Sequence, residues 1–557
     1  MTAVSTRIGA FLGSRWSLSL GIGLLVIAGA AILGPVLFSS VDADDTHWIL
    51  ETPAHTHGSY WQAIVWSFTD VPAQSPDQGR FSQFAYAMQR IMDIATMNSA
   101  VALSVPPLVI RAVFKVLLLL AGIAAVLAFA RSLRRRLPDG RISGLSVGES
   151  LLFAALVAVL VPIGAKSMML GSFNGWISYP VLTYGAVPII FGSGALILWL
   201  YRGLQRRFAL YSVISAVTLV VLMAFITMSY ELYYLVFPMM VVSLILQPRI
   251  ARQGSGRDGA KILLLTVATA LFGISFAVTR IYVTVACASG GCYTGVLAGS
   301  LGGTLRTTLD NLVSALPGAS LNYAGQGALE VAPPAPQTPT HWSIAVGIAL
   351  GLGLVLLVLW IMNRHRPHAV DASVDDASTS PLLLRLAALS ACVALGGAVL
   401  MAVSVKAQAS VTLWSVPFRS GVLIWFALAS AIAALIVFAI KRSPRSRVYI
   451  TVALGCVVAI SVAGSAPINY YAAQNARLNP VTRSIDRIHD EVAVGDLSAA
   501  ADAARCELIS TFNQQMGTDL HGERTIAGAY AAFEHYYGVP FCSQLIGPYN
   551  KVPTTIY

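Results

Sequence analysis

Charge is what this chain has least of: of 557 residues only 36 are Lys or Arg and 25 are Asp or Glu, 11% in all, against roughly 25% in an average soluble domain. With 56% hydrophobic residues, the soluble globular classes are excluded. No basic domain exists that could hold a nucleic acid, so the formal charge of +11 is a topology signal, and nucleic-acid binding is not expected. No internal repeat is visible, which argues against the paired halves common in secondary transporters. Cysteines number six, too few for a disulfide-built scaffold.

What is present is a succession of apolar runs. Stretches of about 20 residues, enough to cross roughly 30 Å of hydrocarbon at 1.5 Å per residue, fall near 17–38, 108–130, 147–166, 179–200, 208–228, 233–247, 262–286, 342–362, 384–405, 417–440 and 447–466. They predict an all-α polytopic membrane protein with about eleven transmembrane helices. The run 233–247 is short and 179–200 carries Pro188, so a tilted, broken or partly re-entrant helix is expected at either. Basic clusters follow every second span: Arg131, Arg134, Arg135, Arg136 and Arg141; Arg202, Arg206 and Arg207; Arg249, Arg252, Arg257 and Lys261; Arg364, Arg366 and Arg385; Lys441, Arg442, Arg445 and Arg447. Lys and Arg resist translocation, so this alternation predicts an N-in, C-out chain.

That orientation places three long segments outside: 39–107, 287–340 and 467–557. Inner connections are mostly short and basic, so function is expected on the outer face. The expected division is a transmembrane domain over 1–466 and a small helical outer domain over 467–557. Four cysteines fall outside and pair naturally as Cys287–Cys292 and Cys506–Cys542 in an oxidising compartment, while Cys392 and Cys456 lie inside spans as packing residues. The first span lacks a convincing cleavage site before Asp42 and reads as an anchor.

Segment 39–107 is the richest in chemistry. It opens Asp42-Ala43-Asp44-Asp45-Thr46-His47, and acidic residues beside a bilayer ask for a reason. Glu51, His55 and His57 follow, then the aromatic stretch Tyr60–Trp66 and, after Gly79-Arg80, an amphipathic stretch through about Met92. These suit helices lying in the interface with their rings at headgroup depth. Asp44 and Asp45 could serve as a general base or could cap the helix that begins near His47. His47, His55 and His57 could suggest a metal site, yet beside Pro53 they read more plainly as a polar loop.

A first span, an acidic pair just beyond it, a long loop of interfacial helices and many further spans resemble the GT-C class of integral membrane glycosyltransferases, which use polyprenyl-phosphate sugars. By architecture the resemblance covers about 20–470; its local motifs are Asp44-Asp45 and Gly79-Arg80. It implies a sugar moved from a polyprenyl-phosphate donor to a glycan or glycolipid acceptor on the outer face of a bacterial plasma membrane, with Asp44 or Asp45 as base. A lipid phosphate brings its own leaving group, so no metal is required and a divalent ion is optional. Arg280, expected near the outer end of its span, is the first candidate for the donor phosphate. Arg80, Lys166, Arg111, Lys115, Lys406 and Arg419 are further outer cations, most of them expected as snorkelling anchors. Tyr230-Glu231, in a tight turn, could bind a sugar hydroxyl or a cation or merely meet solvent, and Trp176 could stack on a sugar or anchor the interface. The alternatives are a cell-envelope polysaccharide polymerase or ligase, expected to rely on arginines in a later outer loop where only Arg306 stands out, and a lipid-linked-glycan flippase.

Overall fold

The computed structural model describes residues 14–40, 43–78, 82–136, 142–166, 176–177, 179–247, 256–289, 298–319, 339–364, 372–410, 419–443, 445–516 and 520–544. In chain order the longer helices are α1 (Arg15–Leu37), α2 (Ala43–His55), α3 (Tyr60–Gln78), α4 (Gln83–Leu103), α5 (Pro107–Ser132), α6 (Val147–Ile163), α7 (Ala186–Arg206), α8 (Phe208–Thr227), α9 (Val236–Leu246), α10 (Gly256–Ala286), α11 (Leu301–Ala315), α12 (His341–Arg364), α13 (Ala372–Ala402), α14 (Gly421–Arg442), α15 (Arg447–Leu478), α16 (Pro480–Val494), α17 (Ala499–Met516) and α18 (Leu520–Tyr537). Strand content among the described residues is one two-residue antiparallel ladder, Arg135–Arg136 against Ile142–Ser143.

Nine helices among the described residues are long and apolar enough to cross a bilayer: α1, α5, α7, α8, α10, α12, α13, α14 and α15. The protein is thus an all-helical, multi-pass membrane protein. Two shorter apolar helices, α6 and a segment over Glu231–Leu246, occupy the remaining apolar runs of the sequence. The second starts as a 3-10 turn, Glu231–Leu235, before becoming α9. Local chemistry fixes several boundaries. Pro107 opens α5 at a position where its missing N–H costs nothing, and a Ser146–Glu149 capping box opens α6.

Helix ends sort to two ends of the bundle. At one, Lys441 of α14 pairs with Glu149 of α6, Lys261 of α10 donates to the Ile245 carbonyl at 3.0 Å and Arg385 of α13 to the Leu246 carbonyl at 3.2 Å. At the other, Trp425 Nε1 of α14 donates to the carbonyls of Leu160 and Val161 at 3.0 Å, and Asn469 of α15 to Ala165 at 2.7 Å. Small residues let α12 sit tightly between two neighbours. A Cβ at Gly351 would stand 2.4 Å from the Gly455 carbonyl of α15, and one at Gly353 would stand 3.0 Å from the Gly21 carbonyl of α1.

A lobe covers the second end. Ile49 and Leu50 of α2, Met97 of α4, Ile488 of α16, Phe512 of α17 and Phe533 of α18 belong to one buried cluster, separate from the core of the bundle. The segment 467–557, expected as a domain of its own, therefore shares its core with helices of 39–107. α2 and α4 supply part of the wall of that core through Ile49, Leu50 and Met97. The Cys506–Cys542 disulfide and Arg505, which donates to the Phe541 carbonyl at 2.6 Å, staple α17 to the segment after α18.

Candidate functional site

Helical spacing puts His47 and Glu51 of α2 one turn apart, and both are enclosed, at 2% and 4% exposure. Beneath them α4 presents Gln89, Arg90 and Asp93, all buried. The Arg90 guanidinium lies 3.3 Å from the centre of the Trp66 ring and 5.6 Å from that of Trp48, and Nη1 donates to Ser67 Oγ at 3.1 Å. Asp93 Oδ1 accepts from Gln89 Nε2 at 3.0 Å and stands 3.8 Å from Nη1 of Arg111 on α5. Two cations, two carboxylates and a histidine thus lie buried where the bundle meets the lobe, and this polar cluster is called the chamber.

The C-terminal helices close this chamber. His489 of α16 donates from Nε2 to the Thr46 carbonyl at 2.7 Å, Ser40 Oγ donates to Asp486 Oδ2 at 2.5 Å, and the Tyr536 hydroxyl donates to Asn98 Oδ1 at 2.6 Å. Gly528 of α18 faces Glu51 so closely that a Cβ there would sit 3.2 Å from Glu51 Cγ. Oε1 of Glu51 has no hydrogen-bond partner among the described residues. Burial pushes the Glu51 carboxyl up to about 7, against the pull of Arg524 and Arg90. Burial, reinforced by Arg111, brings His489 down to about 4, against the effect of its bond to Thr46. Burial also raises Asp486 to about 6, although the Ser40 bond and Arg477 work the other way. Asp490 stands at about 6 through burial and the nearby Asp486 and Glu491. A carboxylate with a pKa near 7 can both accept and return a proton at neutral pH.

Beside the chamber, at the same end of the bundle, a groove of about 640 Å³ runs between α1, α12 and α15. Ala30, Ala31 and Gly34 of α1 line its wall, Trp342 of α12 and Tyr470 of α15 flank it, and Arg477 of α15 stands at its polar end. Phe38, Trp342 and Tyr470 are each more than a third exposed, so the groove is open along one side. Arg477 Nη2 donates to the Phe38 carbonyl at 3.0 Å, tying the end of α15 to the turn that leads into α2.

The residues expected from sequence are distributed unevenly around these features. Asp44 and Asp45 stand in the first turn of α2, three and two residues before His47; their side chains, like Arg80, Cys292 and the side chain of Lys406, lie outside the described residues. His47 belongs to the chamber, whereas His55 and His57 are exposed. Arg280 is not part of it: it lies exposed on α10, over Phe276 of its own helix at 5.2 Å. Glu231 is half-buried at the head of the 3-10 turn, and the buried Tyr230 hydroxyl points to Met401 Sδ at 3.8 Å. Cys287 is disulfide-bonded. Among the described residues no three His, Cys, Asp or Glu side chains group as metal ligands.

Two expectations are corrected by burial. Arg111, Lys115 and Lys166 do not snorkel to a rim; all three are fully enclosed, Lys115 donating to the Val36 carbonyl at 3.5 Å and Lys166 to that of Ser314. Protein, not solvent, surrounds these helix ends, so carbonyls and Asp93 take the place of water. Trp176 neither anchors an interface nor offers an open face for a sugar: it is buried, edge-on to Tyr184 at 5.8 Å, and its carbonyl accepts from the Tyr184 hydroxyl at 2.7 Å. Conversely, Arg90, Asp93, His489, Asp486 and Arg477 carry the polar geometry without having been singled out. A signal existed for two of them: Arg90 and Asp93 share a helical face with Ile94 and Met97, where an amphipathic helix ordinarily carries apolar residues.

Compared with protein-family models, curated proteins and solved structures, the chain finds no match. The functional reading therefore rests on its own chemistry.

Proposed function

We propose that the protein is an integral membrane glycosyltransferase that moves a sugar from a polyprenyl-phosphate donor to a glycan or glycolipid acceptor, with Asp44 or Asp45 as general base. The observation that carries this reading is the position of the α2 start. Ser40–Asp486 and Thr46–His489 hold it at the end of the bundle, and Arg477, bonded to Phe38, links it to an apolar groove open along one side. That the backbone of Asp44 and Asp45 begins α2 near this groove supports the reading. In this reading the end with Lys441, Lys261 and Arg385 is the cytoplasmic one, as the positive-inside rule would have it, and the lobe faces outward from a bacterial plasma membrane.

In the proposed reaction the acceptor hydroxyl gives its proton to the carboxylate while its oxygen forms a bond to the anomeric carbon. The bond from that carbon to the phosphate oxygen breaks, and the polyprenyl phosphate leaves with the electron pair. A cation near the departing phosphate lowers the barrier by meeting charge as it develops. Metal is optional in this scheme because the phosphate is already a competent leaving group.

The test offers polyprenyl-phosphate sugars to purified protein and follows transfer and slow donor hydrolysis. Asp44→Asn or Asp45→Asn is expected to cut turnover by about 10²–10⁴-fold, the usual worth of a general base. If both variants retain full turnover, the assignment of the base fails. A ladder of growing products in place of single-sugar addition would instead favour the polymerase reading.

A further inference from the structure

We infer that the groove between α1, α12 and α15 seats the chain of an isoprenoid monophosphate, with Arg477 as the cation that meets its phosphate. The identity of the chain rests on the transferase reading; the existence of the site rests on the following geometry.

Depth comes first. α1 has 23 residues, about 34 Å at the helical rise, which matches a hydrocarbon layer of about 30 Å and leaves its C-terminal end at headgroup level. Arg477 is bonded to the Phe38 carbonyl just past that end, so its guanidinium stands where a lipid phosphate lies. α15 has 32 residues, about 48 Å, and its extra turns carry Arg477 out of the hydrocarbon. The groove wall lies one to two turns deeper, at Ala30, Ala31 and Gly34 of α1.

Shape and charge then agree. The wall is made of small apolar side chains, and a Cβ added at Gly34 would meet nothing within 4 Å. Space is therefore present where the helix faces the groove. Gln474 and Arg477, one turn apart at the end of α15, both line it and offer N–H donors to a phosphate. The Phe38 bond uses a single guanidinium N–H of the five, so an anion can be taken without undoing it. Asp486 is the competing anion: it feels Arg477 and accepts from Ser40. Removing its charge should tighten phosphate binding.

Arg477 thus replaces Arg280 as the leading candidate for the phosphate. Arg280 lies exposed over Phe276 and is not among the residues that line this groove.

The experiment measures retention of three lipids by the full-length protein in detergent, using native mass spectrometry: a polyprenyl monophosphate, the matching polyprenol and phosphatidylglycerol. The monophosphate is expected to be retained at least tenfold better than either of the others. Arg477→Gln should abolish that preference, Asp486→Asn should increase retention, and Gly34→Phe, which projects a ring into the groove, should displace the chain. Gln474→Trp fills the groove from the other side and repeats the result should Gly34→Phe fold poorly. Equal retention of phosphatidylglycerol, meaning an annular lipid only, overturns the inference, as does unchanged monophosphate retention in Arg477→Gln. No transfer step enters this measurement. Binding without turnover would sink the transferase reading alone, and turnover that survives a blocked groove would sink the groove alone.

Discussion

The bundle and the lobe bury apolar side chains alike but treat charge differently. At one end of the bundle, cations stay near the rim: Lys441 meets Glu149, and Lys261 and Arg385 cap carbonyls. In the lobe and the layer beneath it, Arg90, Asp93, Arg111 and His489 are enclosed, and one Glu51 oxygen has no hydrogen bond among the described residues. A bilayer charges heavily for ionisable groups and receives few; the lobe takes on that cost itself, and such enclosed groups are where proton chemistry is set up.

The largest test of this contrast removes one partner from the buried pair. Asp93→Ala removes a carboxylate from beside the enclosed Arg111 and is expected to cost about 3–5 kcal/mol, read as a lowered unfolding midpoint in detergent. Val285→Ala, on an exposed face of α10, should change the same midpoint by less than about 0.5 kcal/mol. If the two substitutions cost the same, the contrast fails. Next in size is the staple. Cys506→Ala combined with Cys542→Ala opens a cross-link that spans 36 positions and should lower the stability of the lobe by about 2–4 kcal/mol, with α17 losing protection from hydrogen exchange before any helix of the bundle does.

The pH test is subtler because two groups oppose each other. Glu51 rises from 4.5 to about 7 on folding, so between those values the native chain keeps a proton that the unfolded chain has lost. Its contribution is greatest below pH 4.5 and is lost as pH climbs to 7, roughly 3 kcal/mol in total. His489 falls from 6.5 to about 4, so its contribution is present above 6.5 and is lost, by a similar amount, as pH drops to 4. Asp486 and Asp490, both raised to about 6, act in the same direction as Glu51. Glu51→Gln should flatten the fall in the unfolding midpoint between pH 5 and 7, and a variant that keeps the parental slope would show that Glu51 is not enclosed in solution. Smallest of all, Arg280→Gln should alter lipid-phosphate retention by less than twofold, in contrast to Arg477→Gln.

How much of this was readable in the sequence follows the same divide. The spans announce themselves because each is an unbroken apolar run, and even the short 233–247 run keeps its character as a 3-10 turn leading into α9. The helices α16, α17 and α18 of the C-terminal segment and the Cys506–Cys542 bridge were also legible in the sequence. The chamber was not. Its ties are non-local, with Thr46 and His489 separated by 443 positions and Ser40 and Asp486 by 446, and no periodicity within one helix reports a partner so distant. Arg111 and Lys115 mislead for the same reason. Seen on α5 alone they resemble anchors reaching for water, and only the helices packed above them reveal that water is excluded.

That separation has a consequence for biogenesis. At translation rates of about 5–20 residues per second, α2 waits roughly 20–90 s before α16 is made. Throughout that interval Glu51, Arg90 and Asp93 lack their cover, so the newborn chain must keep a charged, half-built face from grasping foreign partners. The closing helices are therefore the step at which a membrane-inserted polypeptide becomes a finished molecule, and a ribosome that stalls between them leaves the earlier segments as a target for proteolysis.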